Sequence, residues 1–142
     1  MTPFDVVFGH RERAHFRLSV LEYLHPEMRE PEGFDLLRVQ AHIGAGSAKA
    51  TFDLEMHVYE LTELASYLET ITSGNGPPHM LSFAGGTVEL SFAPSRRGPV
   101  LLGVIIKEVD DAHLRLEYLI TLEPHEIGQA FFALRALQAF VE

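Results

Sequence analysis

The stretch SFAGGTVELSF, residues 82–92, sets two adjacent glycines between two runs that alternate apolar and polar residues. A glycine pair in that position either cradles a phosphate or turns the chain. A phosphate loop needs a helix after its glycines, so that the helix's N-terminal amides point at the ligand. Here TVELSF follows instead, with Val88, Leu90 and Phe92 on one side at the period of a strand. Gly85 and Gly86 tolerate the positive φ angles of a tight two-residue turn, so the stretch reads as a β-hairpin. That choice moves the chain away from a parallel nucleotide-binding fold and towards an antiparallel one.

The same alternation runs outward in both directions. HFRLSVLEYL, residues 15–24, places Phe16, Leu18, Val20 and Glu22 on one side. Pro26, Pro31 and Gly33 then break the chain into a loop. FDLLRVQAHIGAG follows with Leu37, Val39, Ala41 and Ile43 inward, turns at GAGS, and returns as AKATFDLEMHV with Phe52, Leu54, Met56 and Val58 inward. The period then changes: Leu61, Leu64, Ala65, Leu68 and Ile71 make one stripe of an amphipathic helix, which GNGPP terminates. VLLGVIIKEV is apolar on both faces and predicts a central strand covered on both sides. HLRLEYLIT alternates again, and Glu123-Pro124 opens the last helix with its proline in the first turn.

These signals predict a single α+β domain over residues 1–142, without a linker, a repeat or a low-complexity tract. Its core is an antiparallel β-sheet of about six to eight hairpin-connected strands, with two helices, about 59–72 and 124–141, packed on one face. The exposed sheet face then carries Arg38, Gln40, Asp53, Glu55, Glu89, Arg115 and Glu117.

Composition removes several functional classes. The chain has no cysteine, which excludes disulfides, thiolate metal sites and a cysteine nucleophile, and fits a reducing, cytoplasmic setting. No apolar run approaches the ~20 residues of a membrane span, and MTPFDVVFGHRER lacks the basic start of a signal peptide. A net charge of −9 argues against a nucleic-acid ligand, because neutralising phosphates needs clustered Lys and Arg. Acidic residues gather in HPEMREPEGFD, where Glu27, Glu30, Glu32 and Asp35 crowd one loop. Such a surface steers a basic partner or simply keeps the chain soluble.

Candidate chemistry is thin. Eight histidines are scattered without an HxH or HxxxH pair. His42, His57 and His113 with Asp53 or Glu55 would have to converge across strands to hold a metal, and no bound metal or other cofactor is expected. No GxSxG marks a serine nucleophile. Asp53 and Glu55 share a face two residues apart, which suits either a perturbed carboxylate pair or a solvated one. The last helix is apolar on two sides: Ile127, Ala130, Phe131, Leu134, Leu137 and Val141 on one, and Phe132, Ala133, Ala136 and Phe140 on the other. Phe132, Ala136 and Phe140 form a packing face, expected to be covered by the chain's own N-terminal segment, with a second copy of the chain as the alternative cover.

The order of segments FRLSVLEYLHPE, an acidic proline-bearing loop, FDLLRVQAHIGAGSAKATFDLEMHVYELTELASYLETI, TVELSF, GPVLLGVII, LRLEYLITLEP and IGQAFFALRALQAF resembles the WapI-type bacterial immunity family. The family often opens its second strand with Trp-Leu, where this chain has Leu36-Leu37 and no tryptophan. The resemblance implies a non-catalytic protein that binds and neutralises the toxin domain of a polymorphic toxin, commonly a nuclease, and it assigns no catalytic residue. The expected partner is a basic toxin or other protein, met by Glu27, Glu30, Glu32, Asp35, Asp53 and Glu55. Neither nucleic acid nor membrane is expected, and the chain is either a monomer or a homodimer. Two other readings stay open: a small metal-dependent or hydrolytic enzyme using sheet-face His, Asp and Glu residues, and a homodimeric structural domain.

Overall fold

A computed structural model describes residues 4–10, 13–23, 36–72, 76–95, 98–107 and 115–141. The acidic loop with Glu27, Glu30, Glu32 and Asp35 lies outside the described residues, as do His113 and the side chain of Phe140.

The fold is α+β, with eight antiparallel strands in two four-stranded sheets and two helices. The strands β1 (Phe4–Gly9), β2 (His15–Tyr23), β3 (Leu36–Ala45) and β4 (Ala48–His57) form the first sheet in sequence order, and α1 (Val58–Thr72) follows. The second half of the chain repeats the pattern: β5 (His79–Phe83), β6 (Val88–Ala93), β7 (Val100–Lys107) and β8 (Arg115–Leu122), then α2 (Pro124–Val141). The strand periodicities, the hairpins and both helices appear as the residues predict. The division into two sheets and the twofold repetition of topology do not show in the sequence. Counterpart strands differ in length, β2 having nine residues where β6 has six and β3 ten where β7 has eight.

Each sheet buries one face. Val6, Phe8, Phe16, Leu18, Val39, Ala41 and Leu54 from the first meet Leu81, Phe83, Leu90, Phe92, Leu102 and Ile120 from the second in one core. Both helices enter it, α1 through Leu61, Leu64, Ala65 and Leu68 and α2 through Ile127, Ala130, Leu134 and Leu137. The rings of Phe8 and Phe92, one from each sheet, stand 6.2 Å apart edge to face, a favoured aromatic geometry.

Three local expectations change. A β-bulge between Val20 and Glu22 resets the alternation of β2, so Glu22 faces outward and meets Arg38 at 3.3 Å rather than joining the apolar side. Strand β7 is internal to its sheet but covered on one face only. Its outer face pairs Gly103 with Ser91 and Leu119, and Leu101 and Leu119 remain 42% and 63% exposed. The glycine turn is longer than two residues, because Phe83 pairs with Val88 and Ala84–Thr87 span the gap. Ala84, Gly85 and Gly86 all have positive φ (53°, 68° and 92°). An alanine pays steric strain for that conformation, so something must hold it there.

That restraint is Glu60. Both helices open with a glutamate whose carboxylate reaches back three residues: Glu60 Oε1 accepts from the His57 N–H at 3.0 Å and Glu126 Oε1 from the Glu123 N–H at 2.9 Å. This is the glutamate half of a capping box. Glu126 stops there. Glu60 is only 6% exposed, and its second oxygen accepts from the Ala84 N–H at 2.9 Å, pinning the strained turn of the second half to the helix of the first. Glu60→Ala strands two amides near the core and should cost about 3 kcal/mol, whereas Glu126→Ala should cost less than about 1 kcal/mol. Urea denaturation of the two variants checks this, and equal losses would contradict the bridging role.

Candidate functional site: the cleft beside strand β4

Strand β4 ends the first sheet, and among the described residues no strand pairs with its far side. Between it and the Ala84–Gly86 turn of the second half opens a cleft of about 670 Å³. Strand β4 supplies Thr51, Asp53, Glu55 and His57, α1 supplies Glu60, and Ala84, Thr87 and Lys107 close the other side. The cleft exists because the hairpin at Gly46-Ser47 (Gly46 φ 65°) returns β4 antiparallel to β3, while the Glu60 bond holds the turn opposite at a fixed distance.

Asp53 and Glu55 are both exposed on this edge, the two carboxylates the sequence singles out on the sheet. Gln40 Nε2 donates to Asp53 Oδ1 at 3.1 Å, which fixes that carboxylate against β3. Arg38 lies across from Glu55 in the register but points its guanidinium to Glu22. Lys107 bonds Glu89 Oε1 at 2.6 Å, so the wall facing β4 carries a neutralised cation. His57 stacks on Tyr59 with ring centroids 5.3 Å apart. The remaining sheet-face residues do not join them: Glu89, Arg115 and Glu117 belong to the second sheet, not to the same face as Arg38, Gln40, Asp53 and Glu55. Glu60 and the turn are the parts of the cleft that sequence reasoning missed. A glutamate three residues into each helix, at HVYE and EPHE, signals the two caps but not the bond to the turn.

The histidines are kept apart. His57 pairs with Leu36 and His42 with Thr51, so six strand residues, roughly 20 Å, separate them along the sheet. Among the described residues no three His, Asp or Glu side chains are grouped to hold a metal ion. Among the described residues no helix is long and apolar enough to cross a membrane. Comparison with protein-family models, curated proteins and solved structures returns no match for the chain.

The second apolar side of α2 is not covered by β1. Strand β1 sends Val6 and Phe8 into the core, the side where Ile127, Leu134 and Leu137 are buried. Phe132 stands on the other side, 77% exposed, with Ala136 exposed beside it. Among the described residues the N-terminal segment does not cover Phe132, since β1, already paired into a sheet, packs on the other side of the helix; residues 1–3 lie outside the described residues. Phe132→Asp should leave the thermal midpoint of the isolated chain within a degree or two, because exposed substitutions change stability by about 0.5 kcal/mol or less. A sharp fall in melting temperature, with an unchanged mass by light scattering, would restore the intramolecular cover.

Proposed function

We propose that this chain is a non-catalytic protein-binding module of immunity type, which takes a basic partner domain along the edge of β4. The observation that carries this reading is the placement of Asp53 and Glu55, exposed on the terminal strand of a sheet and facing an open cleft. An edge strand offers unpaired backbone donors and acceptors, which an incoming chain can extend as a further strand. Acidic side chains flanking that edge select a partner rich in Lys and Arg and discourage pairing between copies of this chain, because like charges would meet. The net charge of −9 supports rapid encounter with such a partner. A nuclease toxin domain fits this chemistry, since its phosphate-binding surface is basic and carboxylates can occupy the positions of phosphates. The resemblance to WapI-type immunity proteins points the same way.

The test is association with the cognate toxin domain, measured by surface plasmon resonance at low and high salt. The pair Asp53→Lys and Glu55→Lys should slow association by roughly tenfold at low salt and much less at high salt. Dissociation should change less than association. Glu30→Lys with Glu32→Lys, on the acidic loop, reports whether that loop steers as well. Association indifferent to salt and to the β4 reversals would remove the β4 edge from the interface.

A further inference from the structure

The outward face of the first sheet changes sign along its strands. Its register stacks Asp5, Ser19, Gln40 and Asp53 in one row, Val7, Arg17, His42 and Thr51 in the next, and Gly9, His15, Gly44 and Lys49 in the third. Rows of one face lie roughly 7 Å apart. Two adjacent rows therefore bring Arg17, His42, His15 and Lys49 together in a chain whose overall charge is strongly negative. They line a pocket of about 210 Å³ with Val7, Ile43, Ala50 and Thr51.

Two features separate this pocket from an ordinary solvated basic patch. The Nε of Arg17 is buried and has no hydrogen-bond partner, a costly state for a charged group's donor. Among the described residues no ion pair joins Arg17 or Lys49 to a carboxylate. The nearest acid in the neighbouring row, Asp5, already accepts from the Ser19 hydroxyl at 2.6 Å. The His15 ring lies flat against Gly44, so close that a Cβ there would sit 2.3 Å from His15 Cε1. Glycine at that position lets the imidazole lie down beside the pocket, and the Thr51 hydroxyl holds His42 Nδ1 at 3.2 Å.

We propose that this pocket binds a single phosphoryl group, or an oxyanion of like size and charge. Arg17 supplies a planar set of donors suited to oxyanions, and Lys49 a mobile point charge at the rim. His42 and His15 add donors when protonated. The volume falls below the roughly 300–1,000 Å³ of pockets that enclose drug-sized ligands, which selects one phosphoryl group over a whole nucleotide. The site is independent of the reading of the β4 edge. Thr51 lines both hollows, so an anion here also lies beside the acidic cleft.

The titration behaviour of His42 gives the readout. Burial, then the Arg17 charge, hold its pKa below the ordinary 6.5, with His15 adding to the lowering and Asp5 opposing it. An anion between these groups favours imidazolium, so His42 should titrate at higher pH when the pocket is filled. By the same linkage, affinity should rise as the pH falls through the depressed pKa. Sulfate is the probe for this arm, because its own charge is constant where His42 titrates. NMR of the intact chain should show the His42 and His15 ring resonances moving with sulfate, with inorganic phosphate and with phosphoserine, but not with chloride at equal ionic strength. Arg17→Gln should weaken phosphate binding at least tenfold. Lys49→Gln, at an exposed position that folding does not need, should weaken it severalfold. Tighter binding of phosphoserine than of inorganic phosphate assigns the group to a monoester, and equal binding assigns it to the free ion. Ring resonances that respond to chloride as they do to sulfate, or phosphate affinity unchanged in both variants, would overturn the site.

Discussion

One buried carboxylate joins the two halves of this molecule. Glu60 accepts from the amide that starts its own helix and from the amide of Ala84 in the second half. A carboxylate so enclosed is tolerable only because both oxygens are satisfied by charge-assisted bonds. The turn that receives it holds three successive residues at positive φ, one of them an alanine. The two charge-assisted bonds offset both the strain in that turn and the burial of that charge. A second tie closes the opposite side, where the Tyr118 hydroxyl of β8 donates to the His15 carbonyl of β2 at 2.9 Å and burial pushes the phenol's pKa well up. Between the two ties the sheets meet around a single core.

The consequence for function is a sheet face with two chemistries. Towards α1 its edge is acidic and borders a cleft with a fixed floor. Towards the β3–β4 hairpin it is basic and borders a small pocket. Neither follows from the overall charge, and both follow from register: a shift of one residue between β3 and β4 would send Asp53 and Glu55 to the core side. Leu54 and Met56, buried on either side of Glu55, hold that register by hydrophobic burial, each contributing roughly 1.5–3 kcal/mol.

Much of the fold was legible because its signals are local. The inward rows Leu37-Val39-Ala41-Ile43 and the stripe Leu61-Leu64-Ala65-Leu68 are periodicities that burial enforces. The bulge after Val20 left one trace, since Leu21 and Glu22 break the alternation there, but a charged residue on the apolar side does not by itself tell a bulge from a strand end. The open face of β7 was not either: Leu101, Gly103 and Ile105 look like a buried row, but nothing in one strand's sequence says whether a second layer exists. At the site, Asp53 and Glu55 could be placed on an exposed face from alternation alone. The opposing wall could not, because the bond from Glu60 to Ala84 spans 24 residues and no pattern within either segment encodes it. The acidic loop belongs to the same proposal by charge alone.

The claim on which the rest turns is that Glu60 pins the Ala84 turn to the start of α1 and so fixes the floor of the cleft. Residue-resolved amide hydrogen exchange on the native chain and on Glu60→Gln tests it most directly. A glutamine side chain has one acceptor oxygen where glutamate has two, so it cannot serve both amides as the carboxylate does. The account predicts that in the native chain the Ala84 amide exchanges only through openings as costly as those of β6 and β7. In Glu60→Gln, protection should fall at Ala84 or His57 while Val104 and Leu102 keep theirs. Rapid exchange of Ala84 in the native chain, unchanged by the substitution, would contradict it.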